Sequence, residues 1–359
     1  SPYVSLAQRL GKRIENEATL FYKLCRIPIV AITGTRGKTT TTKWTQCFLS
    51  SRYRPVLAGN SPRNPLLTTL ERLRQISSQT PGRSTARPLV AVNELPSYHL
   101  EYFHLIGRGP DIAIITNLSP DHLNRHPSIE DYALTKAKIF LNQRPDQHVI
   151  LNYKNQWTEF LTKRDPRSRV WFFSSCELPP GQCGIYCTEN AVYFRADSSK
   201  LTPKVLDLGD FVLRRGEHNL ENLLASSLAA HLCGVPWAGI QRRIEKLPSV
   251  PFRQQSVFEN EKLTIINDNA ATSPEGSIPA LRRFASPNCI LITGGTDREL
   301  DYTQWSVAVA RYLNLDNVIF LEGTATNKML ASLAANGRHC RVFESLASCL
   351  ETAVRLAAR

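Results

Sequence analysis

The feature that most constrains this chain is a glycine-rich turn between an apolar run and a helical segment. Ile27–Thr33 is typical of a short buried parallel strand, and Lys38–Ser50 has the pattern of a helix. The residues between them fit the spacing GxxGK[ST], which is shorter than the GxxxxGK[ST] form. In this context main-chain N–H groups hold phosphate oxygens, a lysine reaches the β and γ phosphates, and a threonine hydroxyl meets magnesium. The sequence therefore predicts a phosphate loop made of Gly34, Thr35, Arg36, Gly37, Lys38, Thr39 and Thr40.

Strand and helix patterns alternate along the rest of the chain, which is typical of an α/β fold with a mostly parallel sheet. In the first part we expect strands at Leu89–Leu95, Asp111–Thr116 and His148–Asn152, a hairpin at 184–196 and a helix at His218–Cys233. A second series has strands at Leu263–Ile266, Ile290–Thr293 and Val318–Leu321, with helices at 275–285, 302–313, 327–335 and 345–358. The second series predicts a small Rossmann-like, doubly wound domain.

The expected domain boundaries follow from these two series. The segment Pro248–Pro251 has the composition of a linker. We therefore expect a basic lead-in at 1–24, a central phosphate-loop domain at 25–248 and a C-terminal Rossmann-like domain at 249–359.

Composition narrows the class of protein. The 359 residues are long enough for two or three domains, and 42% hydrophobic with 21% charged residues excludes wholesale disorder. The excess of 44 basic over 31 acidic residues, a net charge of +13, favours an anionic partner, with nucleic acid, a membrane surface and phosphorylated substrates all open. The nine scattered cysteines are typical of free thiols in a reducing cytoplasm, and no apolar run reaches the length of a membrane span.

Two polar side chains at the ends of predicted strands are candidate magnesium ligands. Glu94 closes one strand, and His122 lies shortly after another. The carboxyl edge of a parallel sheet is where ligands collect in such folds, and a magnesium–ATP site needs such support beside its phosphate loop. Lys136, by contrast, is by itself an ordinary helix lysine.

Several ordered motifs resemble those of the Mur ligase family, the ATP-dependent amide ligases of peptidoglycan precursor synthesis. The motifs are GTRGKTT at 34–40, NELPSYHLE at 93–101, TNLSPDHLNRH at 116–126, YALTKAKIF at 132–140, GEHNLEN at 216–222, PFR at 251–253, NDNAATSPEG at 267–276 and GGTDRELDY at 294–302. Within the family, Glu94–Glu101 resembles the segment of the members that add D-glutamate to UDP-N-acetylmuramoyl-L-alanine through an acyl phosphate. The resemblance therefore implies ATP and Mg²⁺ as cofactors, with that sugar nucleotide and D-glutamate as substrates.

The resemblance also implies a role for each matching residue. Lys38 and its loop would bind ATP phosphates, with Thr39, Glu94, His122 and Lys136 as the magnesium set. Lys136 matches a lysine that the family carbamylates, and Lys38, Glu94, His122 and Lys136 would be the catalytic residues. The remaining assignments are Asn219, Asn222, Arg253 and Asp268 for ATP, and Asn60, His122 and Arg298 for the substrates.

The chain departs from the family pattern at a few positions and in extent. Arg36 replaces an asparagine, Pro96 a serine, Ala270 a lysine and Arg298 a lysine. We expect an N-terminal UDP-binding domain to be absent and the C-terminal domain to be incomplete at its end.

Alternative functions remain open from the sequence. One is another ligase of the same family with a different acceptor amino acid. A second is a degenerate protein that binds nucleotide without ligating, for which Ala270 is the main support. Nucleic-acid binding is weaker, because the basic residues are dispersed along helices. We expect a cytoplasmic monomer with neither a nucleic-acid nor a membrane partner.

Overall fold

The computed structural model describes residues 2–60, 63–79, 87–120, 125–197, 202–334 and 340–358. The chain divides into two compact units, Ser1–Pro248 and Ser249–Arg359, called unit 1 and unit 2 below. The division into a lead-in at 1–24 and a domain at 25–248 stays a prediction, but unit 1 includes the first residues, and Ala18, Phe21 and Tyr22 are buried in its core. No helix in the described ranges combines the length and apolarity needed to cross a membrane.

Unit 1 is built from parallel strands connected by helices. Its strands are β1 (Ile29–Thr33), β2 (Arg54–Gly59), β3 (Leu89–Glu94), β4 (Ile112–Ile115), β5 (His148–Asn152), β6 (Arg169–Ser174), β7 (Gly184–Thr188), β8 (Ala191–Arg195) and β9 (Lys204–Asp207). Its helices are α1 (Pro2–Arg9), α2 (Glu17–Leu24), α3 (Lys38–Leu49), α4 (Leu66–Gln79), α5 (Ser97–Leu100), α6 (Ile129–Leu141), α7 (Thr158–Thr162), α8 (Phe211–Arg215), α9 (His218–Leu232) and α10 (Trp237–Ile244), with a 3-10 turn at Phe103–Leu105.

The strands of unit 1 form one sheet in which β1, the strand before the phosphate loop, lies between β3 and β4. In the described residues the order is β2-β3-β1-β4-β5-β6-β7-β8-β9, with parallel pairing as far as β7 and antiparallel pairing at β7–β8–β9. Successive residues of a strand point to opposite faces of the sheet. In unit 1 a hydrophobic core lies against each of the two faces. In β1, Ile29 and Ala31 belong to one hydrophobic core, and Val30 and Ile32 belong to the other. This two-sided burial explains why the strand reads as a continuous apolar run.

Unit 2 has strands β10 (Gln255–Glu259), β11 (Thr264–Asn267), β12 (Leu291–Gly294), β13 (Val318–Leu321) and β14 (Arg341–Phe343), and helices α11 (Pro274–Phe284), α12 (Thr303–Tyr312), α13 (Thr326–Ala334) and α14 (Leu346–Ala357), with a 3-10 turn at Leu315–Asn317. Strands β12, β13 and β14 form a parallel sheet in that order. Trp305 of α12 and Met329 of α13 are buried in the same core, together with Phe320 of β13.

One predicted strand of unit 2 exists but pairs differently from the arrangement that a doubly wound domain implies. The strand expected at Leu263–Ile266 exists as β11, but it does not join the parallel sheet. It pairs antiparallel with β10 in a separate two-stranded ribbon. The cause is local, because the side chain of Asn260 in the connecting turn accepts hydrogen bonds at Oδ1 from the N–H groups of Lys262 and Leu263 and closes a hairpin.

The fold class is nevertheless confirmed, since the chain is a mixed α/β protein with a large, mostly parallel sheet.

Candidate functional site

The phosphate loop is shaped by two glycines that no other residue could replace without a clash. Gly34 has φ +140, and a Cβ there would lie 1.9 Å from Thr116 Oγ1. Gly37 has φ +78, and a Cβ there would lie 2.2 Å from Asn222 Oδ1. Close packing against β4 and α9 therefore requires glycine at both positions.

Neighbouring main chain fixes the turn between these glycines. The N–H of Thr35 donates to Asn117 O at 2.9 Å, and the N–H of Arg36 donates to Asn117 Oδ1 at 2.9 Å. Thr116 Oγ1 donates to Arg36 O at 2.5 Å. Two residues that follow β4 thus hold the loop. Sequence reasoning did not select them, although their position directly after a buried strand is a recognisable signal.

Lys38 folds back over the loop that precedes it. Its Nζ donates to Gly34 O at 3.0 Å and to Thr35 O at 2.9 Å. The ammonium group therefore lies against the main chain of the loop, and α3 begins at this residue. Phosphate oxygens in such a loop meet the lysine and the helix N-terminus together.

The structure brings Thr39 and Glu94 together beside the phosphate loop. Thr39 Oγ1 donates to Glu94 Oε1 at 3.2 Å. They meet because β1 and β3 are adjacent parallel strands, with Ile32 paired to Glu94, so their carboxyl ends share one edge. Hydroxyl and carboxylate oxygens are the donors that Mg²⁺ prefers, and this pair suits it.

His122 lies outside the described residues. Among the residues that are described, no group of three or more His, Cys, Asp or Glu side chains is placed to hold a metal ion.

Lys136 is buried, with only 1% of the residue exposed. Its Nζ donates to Thr33 Oγ1 at 3.1 Å and lies 4.7 Å from the centre of the Tyr132 ring. Thr33 in turn donates from Oγ1 to Leu95 O at 2.6 Å, which joins the ends of β1 and β3. The interpretation of Lys136 as an ordinary helix lysine is therefore wrong, since a helix-surface lysine would be solvated and this one reaches the sheet edge beside the loop.

Asn219 and Asn222 approach the same loop from α9. Asn222 is 8% exposed, and its Oδ1 accepts from Thr41 Oγ1 at 3.2 Å. Its Nδ2 donates to Asn219 Oδ1 at 3.1 Å. The two amides are thus linked to each other and to α3.

A half-buried carboxylate of α9, Glu221, was also missed by sequence reasoning. Glu221 Oε2 accepts from Asn152 Nδ2 at 2.8 Å, and the same Nδ2 donates to Thr116 O at 3.2 Å. Burial raises the pKa of Glu221, although the bond from Asn152 acts against that shift. This chain of contacts connects α9 to the strand end that holds the phosphate loop.

Asn60 lies on the other side of Glu94, just after β2. Its N–H donates to Glu94 O at 3.2 Å, and Tyr98 Oη donates to its Oδ1 at 2.6 Å. A Cβ at Gly59, where φ is +134, would lie 2.2 Å from Glu94 O, so the main chain approaches β3 closely here. Sequence reasoning did not single out Tyr98, since nothing in its local pattern marks it.

The predicted site residues of unit 2 are less constrained. Asp268 Oδ1 accepts from the N–H of Gln254 at 2.9 Å, and burial raises the pKa of Asp268 while the charge of Arg253 acts to lower it. Arg298 is exposed in the turn after β12. Its neighbour Asp297 forms an ion pair with Lys328 and accepts from the Glu299 N–H at 2.9 Å.

Comparison with known proteins identifies the family. The Mur ligase middle domain matches residues 32–230, which carry the site of unit 1. The UDP-N-acetylmuramoylalanine–D-glutamate ligase of Roseiflexus sp. is 35% identical over 341 residues, covering 93% of this chain and 69% of that protein. This chain belongs to the Mur ligase family. The resemblance read from the motifs is thereby confirmed, and the family is one of ATP-dependent ligases.

A second curated relative and two solved structures are similar to this chain as well. The enzyme of the same name from Caldanaerobacter subterraneus is 34% identical, covering 85% of this chain and 62% of that protein. The chain thus spans about two thirds of the length of these curated relatives. The structure of MurF from Acinetobacter baumannii has a TM-score of 0.68 at 19% identity, covering 95% of this chain and 73% of that one. MurF from Thermotoga maritima, solved in complex with ADP, has a TM-score of 0.58 at 19% identity, covering 95% and 81%. These two structures support the fold alone.

Proposed function

We propose that this chain carries the ATP-binding and ligating part of an enzyme that joins D-glutamate to UDP-N-acetylmuramoyl-L-alanine. The observation that carries the proposal is the contact of Thr39 with Glu94 beside the phosphate loop. The names of the chain's curated relatives, which are D-glutamate ligases, support the choice of substrates. The alternatives, a family ligase with another acceptor and a nucleotide-binding protein without ligase activity, become outcomes of the test below.

The first part of the proposal concerns ATP. Lys38 would exchange its bonds to the carbonyl oxygens of Gly34 and Thr35 for phosphate oxygens, with little movement of its Nζ. Main-chain N–H groups of the loop and the start of α3 would hold the same phosphates. Asn219 and Asn222 would border the nucleotide from α9. Arg253 and Asp268 of unit 2 are likewise proposed as ATP-binding residues.

The second part concerns magnesium. Thr39 and Glu94 would hold the ion, and His122 is proposed as a further ligand. When bound, Mg²⁺ would neutralise charge on the transferring phosphoryl group. The contribution of this chain is to present two oxygen donors from separate elements beside Lys38.

The third part concerns Lys136. We propose that it is carbamylated, with its amine adding to carbon dioxide and releasing one proton. The burial of Lys136 supports this, because a charged ammonium is costly to bury and a neutral amine is the form that reacts with carbon dioxide. The product would turn a cation into a carboxylate-like group beside Thr33, and it would add a negative ligand near the magnesium pair.

The reaction would follow from these positions. The carboxylate of the sugar nucleotide would attack the γ phosphorus of ATP, giving an acyl phosphate and ADP. The amine of D-glutamate would then attack the acyl carbon, and phosphate would leave as the amide forms. Asn60 would bind the sugar nucleotide, and Arg298 would bind a carboxylate of the incoming amino acid.

We also propose a cytoplasmic monomer. All nine cysteines are free thiols, which fits a reducing compartment. Gel filtration with light scattering would test the monomer.

The test combines binding and turnover. ADP release is measured with UDP-N-acetylmuramoyl-L-alanine and a panel of acceptors that includes D-glutamate, L-glutamate and meso-diaminopimelate. Magnesium-dependent ATP affinity is measured by calorimetry in Glu94→Gln, with Glu71→Gln on the exposed face of α4 as the matched control. The proposal expects release with D-glutamate alone and a loss of roughly tenfold or more in magnesium-dependent affinity for Glu94→Gln only.

Other outcomes select an alternative. Release with a different acceptor would indicate another ligase of the family. ATP binding without release on any acceptor would favour the protein that binds nucleotide without ligating.

A further inference from the structure

A hydrogen bond at the edge of the candidate site joins a residue with a proposed role to one without any. Tyr98 Oη donates to Asn60 Oδ1 at 2.6 Å across 38 positions of sequence. Asn60 is exposed, and 37% of Tyr98 is exposed, so the pair lies at the surface of unit 1 beside Glu94. We propose that Tyr98 is a positioning residue, which fixes the amide of Asn60 so that its Nδ2 donates to an oxygen of the sugar nucleotide. This inference rests on the proposed function.

The chemistry of the asparagine amide gives the bond its consequence. An asparagine side chain presents an acceptor at Oδ1 and two donors at Nδ2, and an unconstrained amide can present either end. The bond from Tyr98 fixes the rotation of the amide by holding Oδ1, so that Nδ2, which donates to no described residue, has a defined position for a ligand. An amide fixed in this way selects an acceptor, such as a phosphate or carbonyl oxygen, over a donor.

The direction of the bond follows from the protonation of the phenol. Burial raises the pKa of Tyr98, and the nearby carboxylates of Glu17 and Glu94 raise it further. The hydroxyl therefore keeps its proton at neutral pH and donates to Asn60.

The main chain of Asn60 is fixed as well. Its N–H donates to Glu94 O at 3.2 Å, and Gly59 packs against the same carbonyl group. Since Glu94 is also the proposed magnesium ligand, the orientation of the Asn60 amide is set relative to the site where the phosphoryl group is transferred.

Tyr98 in turn is held by its surroundings. The Arg125 guanidinium lies 5.5 Å from the ring centre, and Arg125 Nε donates to Glu101 Oε1 at 2.8 Å. On the buried side of α5, Ser97 Oγ lies 3.2 Å from His126 Nε2, and His126 Nδ1 lies 3.0 Å from Asp131 Oδ2. Removing only the hydroxyl of Tyr98 leaves these contacts in place.

The first experiment measures the side-chain amide of Asn60 directly by nuclear magnetic resonance. The chain is prepared with nitrogen-labelled asparagine, and the side-chain NH₂ signal of Asn60 is assigned by its loss in Asn60→Ala. We expect this signal to shift and its exchange with water to quicken in Tyr98→Phe. Tyr102→Phe, the same change four residues further on, is the control and should leave the signal in place. An Asn60 signal that is identical in wild type and Tyr98→Phe overturns the inference.

The second experiment measures the kinetic constants for the substrates. Tyr98→Phe should raise KM for UDP-N-acetylmuramoyl-L-alanine roughly three- to tenfold, the range expected for one hydrogen bond. The kcat and the KM for ATP should stay within roughly twofold, because the bond lies outside the phosphate loop.

A double variant separates positioning from an independent role. In an Asn60→Ala background, Tyr98→Phe should add less than roughly twofold, since the amide it orients is gone. The same factor in both backgrounds overturns the inference. If the wild-type chain neither binds the sugar nucleotide nor releases ADP, the proposed function fails, and the amide signal still decides whether Tyr98 positions Asn60.

Discussion

The two units differ in how firmly they hold their candidate site residues. In unit 1, Lys38, Thr39 and Asn222 each form hydrogen bonds, and together these reach the loop, β3 and α3. In unit 2, Arg298 is exposed in a turn next to the ion pair of Asp297 with Lys328. The difference is that hydrogen bonds within unit 1 fix the positions of the residues proposed to bind phosphate. The proposed acceptor residue of unit 2 remains in contact with solvent.

The strands of the two units also differ in how deeply they are buried. The sheet of unit 1 is buried on both faces, and β4 is fully buried along its length. In unit 2, the strands of the ribbon and of β14 are mostly exposed or half-buried.

The largest expected effect is on folding. Trp44 in unit 1 and Trp305 in unit 2 are both nearly fully buried, each in a core of its own unit. Replacing either with alanine should cost about 3–5 kcal/mol of unfolding free energy, through lost burial and the cavity left behind. Urea unfolding followed by circular dichroism should show two transitions, with each variant moving only its own. A single transition shifted by both variants would contradict independent units.

The next effect concerns nucleotide binding. Lys38→Ala should weaken ATP–Mg²⁺ binding by roughly 100-fold, because it removes a charge-assisted contact to the phosphates. Calorimetry is the measurement, and Lys246→Ala, an exposed lysine of the same unit, is the control. Arg298→Ala in unit 2 should leave ATP affinity unchanged and raise KM for the acceptor amino acid. Unchanged affinity in Lys38→Ala would remove the phosphate loop from the proposal.

The extent to which the sequence predicts these features depends on how local each one is. The phosphate loop and its flanking elements are predictable because glycine positions, an apolar run and a helix start lie within one short segment. The meeting of Thr39 and Glu94 is also predictable, since carboxyl ends of parallel strands share an edge.

Features that depend on tertiary packing are not predictable in the same way. Residues 1–24 read as a weakly helical lead-in, yet Phe21 and Tyr22 of α2 enter the core of unit 1. The burial of Lys136 and its bond to Thr33 arise from how α6 packs on the sheet, and a lysine inside a helix pattern carries no sign of it. The contact between Tyr98 and Asn60 likewise joins helix α5 to the residue that follows β2, and the two positions are distant in sequence.

The smallest effect is a pH dependence to which His148 of unit 1 and Asp268 of unit 2 contribute with opposite sign. In unit 1, burial lowers the pKa of His148 below its ordinary value of 6.5, helped by the charge of Arg169. The ring accepts a hydrogen bond at Nδ1 from Trp171 Nε1 at 3.0 Å, and a proton on Nδ1 would break that bond. The folded state therefore binds fewer protons than the unfolded state, so the stability of unit 1 falls as pH drops through 6.5 towards the lowered folded pKa.

In unit 2 the sign is reversed, because burial raises the pKa of Asp268 above its ordinary 3.8. The folded state there binds more protons, and this carboxyl group should make unit 2 more stable as pH falls through the raised pKa. For unit 1 we expect a loss of up to about 1 kcal/mol from His148, the size of one hydrogen bond. His148→Asn, which can still accept at Oδ1 but does not titrate, should reduce the slope of unfolding free energy against pH, while His99 and His231, whose pKa values burial also lowers, keep part of it. An unchanged slope in His148→Asn would show that this imidazole binds protons equally in the folded and unfolded states, which would contradict a pKa lowered by folding.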